Sequence, residues 1–132
     1  MKMGLIASAA LLLLAAPAAA QSPNWVSWGE RDGQTLAYDT NSVNWNKVVV
    51  TVTVKALFDP PTTRTTSLGA PVTLSAMLES ISVHCTSGLF IENRNVGYDA
   101  NGMAVFNTPT PSQAQPITNG APAAIKSQFC SN

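Results

Sequence analysis

The sequence predicts an α+β fold: an antiparallel β-sheet of about six strands, packed by one C-terminal α-helix and tethered by a disulfide. Three observations predict it. The run Val48–Phe58, VVVTVTVKALF, alternates strictly, with Val48, Val50, Val52, Val54, Ala56 and Phe58 apolar and Val49, Thr51, Thr53, Lys55 and Leu57 mixed. A period of two built from β-branched residues marks a long central strand with one buried face and partners on both edges. Shorter β-rich runs separated by turn residues flank it on both sides. A C-terminal stretch around Ala121–Gln128 suits a helix instead, with Ile125 and Phe129 on one stripe beside Cys130.

The N-terminus reads as a leader over residues 1–20. Lys2 supplies a positive start, Leu5–Leu14 an apolar run too short for a stable membrane span, and Ala18-Ala19-Ala20 the small residues a signal peptidase reads before Gln21. No Cys lies at that boundary, so the lipid-attachment signal of lipoproteins is not expected. The remaining residues, 21–132, make a chain of about 112 residues that suits one domain, exported to the periplasm, the cell surface or the medium. Seven basic and seven acidic residues balance, with no basic run, which argues against nucleic acid and against anionic membrane surfaces. In an oxidising compartment, Cys85 and Cys130 pair by default. Free thiols or a two-cysteine contribution to a metal site are the alternatives, although a structural zinc site wants four ligands.

In order, Trp25–Glu30 and Thr35–Asp39 form a hairpin around the Asp32-Gly33 turn, and Asp39–Ser42 turns again with the Asp39 carboxylate accepting backbone N–H groups. Trp45 and Lys47 lead into the central strand. Asp59–Pro71, DPPTTRTTSLGAP, reads as a mobile loop, because Pro60 and Pro61 cannot donate to a ladder and the Thr-rich remainder has no apolar period. Val72–Cys85 is a strand whose phase shifts midway: Val72, Leu74, Ala76 and Leu78 share one face, and Ile81, Val83 and Cys85 the other. A β-bulge near Glu79-Ser80 reconciles the two sets. Leu89–Tyr98 is the next strand, Asn101-Gly102 the hairpin turn, and Met103–Asn107 the last strand. Thr108–Gln115 is a connector, and the helix starts at Ala121 or Pro122, since proline is tolerated in a first turn.

Taken together, these residues resemble the surface-adhesin protein E family of exported Gram-negative bacterial proteins. The resemblance runs through Trp25, the turn Tyr38-Asp39 with Ser42-Val43, the long strand, Cys85, Tyr98, Gly102, Pro116-Ile117 and Cys130. It implies a sheet covered by a helix that a disulfide holds, and it implies adhesion to host extracellular-matrix or plasma proteins. Its departures are His84, where an acidic residue is common, and Gln115, where an aromatic is expected.

No catalytic constellation is visible. His84 is the sole histidine, Ser82 lies nearby, and no carboxylate is placed to complete a triad. Glu30, Asp32, Asp39 and Asp59 occupy strand ends and turns, where acids cap and turn rather than react. Asp99 and Asn101 fall short of a calcium loop. No cofactor and no metal is expected. Trp25 and Trp28 lie on opposite strand faces; Trp28, together with Arg64 in the Thr-rich segment, is the candidate for partner binding. The functional expectation is a non-catalytic protein-binding module, with a soluble periplasmic protein of the same fold and no adhesive role as the alternative. A homodimer through an edge strand is a further option.

Overall fold

The computed structural model describes residues 22–66, 68–108 and 111–130; the expected leader and Gln21 lie outside them. Eight strands form one antiparallel sheet: β1 (Trp25–Arg31), β2 (Gln34–Asp39), β3 (Asn44–Asn46), β4 (Val49–Thr65), β5 (Pro71–His84), β6 (Leu89–Tyr98), β7 (Ala104–Thr108) and β8 (Gln115–Pro116). The main order is β1-β2-β4-β5-β6-β7, a meander, with short β3 beside the start of β4 and short β8 beside the start of β6. Among the described residues one α-helix, α1, spans Gly120–Phe129.

The alternation in β4 decides which face is buried. Val50, Val52 and Val54 are fully buried and Ala56 nearly so, while Val48 stays outside the strand and is 44% exposed. Residues paired directly across a ladder share a face. Leu36 and Tyr38 on β2 therefore join Ala56 and Val54, and Val83 and Ile81 on β5 join Val50 and Val52, to complete the sheet's contribution to the core. The Asp32-Gly33 turn connects β1 to β2 with both residues at positive φ, 53° and 81°, a backbone that Asp tolerates and Gly favours.

Helix α1 lays Ala121, Ala124 and Ile125 on this buried face. Small residues at two of the three positions let the helix approach closely, and Ile125 fills the space between. Pro122 falls in the first turn, where its missing N–H has no intrahelical partner to lose. At the far end, Trp28 stacks on Tyr38 at 4.7 Å and Phe129 meets Tyr38 edge-on at 5.5 Å. The Cys85–Cys130 disulfide joins the end of β5 to the end of α1 across a Cα–Cα distance of 5.3 Å. A helix of three turns has little stability alone, so the apolar face and this bond hold it in place.

Two expectations need correction. The segment Asp59–Pro71 is not a loop: β4 runs on to Thr65 and re-pairs with β5 through Thr62–Leu74, Thr63–Thr73, Arg64–Val72 and Thr65–Pro71. Pro60 and Pro61 fall inside the register shift between Leu57 and Thr62, where the ladder is interrupted and no N–H is wanted, and the β-branched threonines then resume it. The result is a hairpin arm, closed by the turn at Thr66–Ala70. The phase change in β5 is also not at Glu79-Ser80. Leu74 and Met77 are both buried although three apart, so the flip lies between them, opposite the irregular part of β4. A register shift does occur at Ser80/Ile81, but its extra residue is Asn93 on β6.

The arm's base is tied to the sheet through Leu74, which packs on Gly97 of β6 with Phe106 of β7 beside it. Arg64 on the arm lines a cleft with Glu79 on β5 and with the start of α1. Arm and helix thus lie on the same face of the sheet, leaving a cleft between them.

Candidate functional site

Among the described residues, no helix packs on the other face of the sheet, the uncovered face. Its central row reads Ala37, Lys55, Leu78 and Val96 across β2, β4, β5 and β6. A neighbouring row reads Thr53, Ser80 and Arg94, and the next one Thr35, Leu57, Ala76 and Tyr98. Thr53, Leu78, Ser80, Arg94, Val96 and Tyr98 line a shallow groove of about 360 Å³ here. Leu57 is 44% exposed beside it. Lys55 holds its ammonium 4.4 Å above the ring of Trp25, which fixes a cation and an indole on this face. Farther along, Thr51 and Ser82 share a hydrogen bond of 2.7 Å and Asn93 donates to Ser82 at 2.8 Å, so the polar groups at that end bond one another.

The covered face holds a second feature. A cleft of about 230 Å³ between the arm and the start of α1 is lined by Arg64, Glu79, Ile81, Phe90 and Glu92, together with Gln34 and Thr118–Pro122. Glu79 is in ladder register with Val54 on one side and Asn95 on the other, so it projects to the core side. Burial above all, and then the charge and hydrogen bond of Glu92, push its carboxyl from an ordinary 4.5 up to about 8; Arg64 opposes the shift. At neutral pH Glu79 is therefore protonated and donates to Glu92. Asn95, 8% exposed, donates Nδ2 to Glu92 Oε2 at 3.3 Å and leaves its Oδ1 without a partner. Sequence reasoning did not single out this pair. The signal was present: Glu79 has the parity of Ile81, Val83 and Cys85, and an acid on a buried parity is unusual.

The residues expected to matter divide differently. Trp28 is half-buried and donates Nε1 to Gln128 Oε1 of α1 at 3.1 Å, while Gln128 donates Nε2 to the Tyr38 hydroxyl at 3.3 Å. Its indole is engaged within the domain. Arg64 is exposed on the arm at the cleft. His84 points with Val49 and Leu89 to the uncovered face and accepts the Ser87 N–H on Nδ1 at 3.0 Å, stabilising the β5–β6 turn. Asp39 Oδ1 accepts the N–H groups of Asn24 and Asn41, at 2.8 and 2.9 Å. Asp99 Oδ1 does the same for Asn101 and Met103, at 2.9 and 3.0 Å. Asp32 reaches farther: its Oδ2 accepts the N–H of Gly120 at 3.0 Å and caps α1 from the first hairpin, a role that Asn119 does not fill.

Among the described residues, no group of three or more His, Cys, Asp or Glu is placed to hold a metal. No helix of the described residues is long and apolar enough to cross a membrane. Comparison with protein-family models, with curated proteins and with solved structures returns no match for this chain.

Proposed function

We propose that the chain is an exported, non-catalytic protein-binding module, of the kind its resemblance to the surface-adhesin protein E family implies, engaging host matrix or plasma proteins. The observation that carries this reading is the uncovered sheet face. Leu78, Val96 and Tyr98 line its groove, Leu57 stands exposed beside it, Lys55 belongs to the same row as Leu78 and Val96, and Arg94 lies in the neighbouring row. An apolar centre with aromatic and cationic flanks is the composition that protein interfaces favour. The disulfide fits an oxidising, exported compartment.

The test has two parts. Protease applied to intact cells should digest the protein, and immobilised matrix and plasma proteins should capture it from solution. R94E should weaken that capture at least about tenfold, the scale of a truncated interface anchor. Capture that is indifferent to R94E and to Leu78→Asp would refute docking through this face. The disulfide suits the periplasm equally well, so protection from protease until the outer membrane is opened would support the alternative, a periplasmic protein of the same fold.

A further inference from the structure

The cleft between arm and helix is a separate place from the uncovered face, and its walls carry opposite charges. Glu79 and Glu92 come from β5 and β6; Arg64 comes from the arm; Gln34, Thr118 and Asn119 add polar, uncharged groups to the lining. We propose that this cleft binds a small zwitterion of the amino-acid class, its ammonium group against Glu79 and Glu92 and its carboxylate toward Arg64.

A shortage of hydrogen-bond donors supports the ammonium end. Asn95, directly across the ladder from Glu79 and more than nine-tenths buried, gives its Nδ2 to Glu92 and keeps an unpartnered Oδ1. Acceptors outnumber donors around the two carboxyls that line the cleft. A primary ammonium brings three N–H donors and a positive charge in one group. The carboxylate end follows from Arg64, whose guanidinium matches a carboxylate in shape as well as charge. The volume of about 230 Å³ suits a molecule of several heavy atoms, and Ile81, Phe90 and Pro122 give its carbon frame an apolar wall. A bare metal ion would use neither that wall nor Arg64.

Charge balance describes the exchange. The ammonium replaces the proton of Glu79, which leaves to solvent, and no bond is made or broken in the ligand. The charged groups around Glu79 are Glu92 from β6 and Arg64 from the arm, with Asp32 holding the Gly120 N–H at the start of α1.

Isothermal titration of the purified protein at pH 7 tests this. The probes are the standard L-α-amino acids one at a time, n-butylammonium and acetate as single-charge probes, and calcium and manganese chlorides. At least one amino acid should bind one-to-one with release of a proton, read as a dependence of the heat on the buffer's ionisation enthalpy. E79Q, which is the isostere of the protonated acid and so preserves the fold, should weaken binding at least about tenfold, and R64A likewise. Four results would each overturn the proposal: no amino acid binds; n-butylammonium binds as tightly as the best amino acid; a divalent cation binds instead; or E79Q and R64A leave binding unchanged.

Discussion

Gly97→Ala tests how the arm is anchored. Gly97 is buried on β6, opposite Met77, and its φ is outside the left-handed region, so any effect of a methyl there is steric. A Cβ at this position would lie 2.7 Å from Leu74 Cδ2, 3.3 Å from Leu74 Cδ1 and 3.1 Å from Phe106 Cβ. Carbon atoms settle at about 3.5–4.0 Å, so Leu74 would have to retreat by most of an ångström. It has nowhere to go, being fully buried. Overpacking of this kind costs about 1–3 kcal/mol. The lower unfolded-state entropy of Ala against Gly offsets about 0.5–1 kcal/mol of that, which leaves a net destabilisation of up to about 2.5 kcal/mol. Leu74→Ala alone should cost about 2–5 kcal/mol by leaving a cavity. In that background the new methyl enters vacated space, so Gly97→Ala should become neutral or stabilising, a coupling of about 1–2 kcal/mol. Urea unfolding of the four proteins under non-reducing conditions, followed by tryptophan fluorescence, gives the cycle directly. If Gly97→Ala costs the same with Leu74 present and absent, the close approach of the arm's base to β6 is refuted.

Three further predictions follow from the fold. Replacing both cysteines by alanine should lower stability by about 4 kcal/mol, the chain-entropy value for a loop of this size, and unchanged urea midpoints with and without reductant would contradict it. Because the folded-state pKa of Glu79, about 8, lies above its ordinary 4.5, the folded protein binds that proton more tightly than the unfolded chain. The stabilisation is complete below about pH 4.5 and is lost as pH rises through about 8, so wild-type stability should fall relative to E79Q between about pH 5 and pH 9. Parallel pH profiles for the two proteins would remove the buried acid from the account. Asp32→Ala strips the helix start of its acceptor and should cost about 0.5–2 kcal/mol, with amide exchange at Gly120 rising well before exchange in β4; equal protection of Gly120 in both proteins would show that the cap is idle.

Local pattern and tertiary context account for different parts of this structure. The valine alternation of β4 survives as the central row of the core because a period of two assigns each side chain to a face without reference to its neighbours. The helix is legible for a similar reason: Pro122 can only open it and Ile125 can only point inward. The arm was not legible, since Pro60 and Pro61 are ordinarily stop signals and only the partner strand's own irregularity makes room for them. Nor does any local rule join Asp32 to Gly120, or Arg64 to Glu79, because both juxtapositions depend on how the sheet coils and where the helix lands. Of the two tryptophans in β1, alternation placed them on opposite faces; that Trp28 is the one under the helix needed Tyr38 and Gln128 in position.

The Cys85–Cys130 bond has a mechanical consequence. A molecule pulled from its two ends carries tension along the shortest covalent route. From the C-terminal side that route enters at Cys130 and crosses the sulfur bridge to Cys85 at the end of β5, so β6, β7, β8 and α1 lie on a closed side loop that bears no load. Strain falls instead on β1 to β5, with the longest ladder of the sheet, β4 against β5, as the last element to shear. The cleft-lining residues Glu92 and Thr118–Pro122 belong to the unloaded loop, whereas Arg64 and Glu79 belong to the loaded strands. Tension would therefore reach Arg64 and Glu79 without passing through the helix.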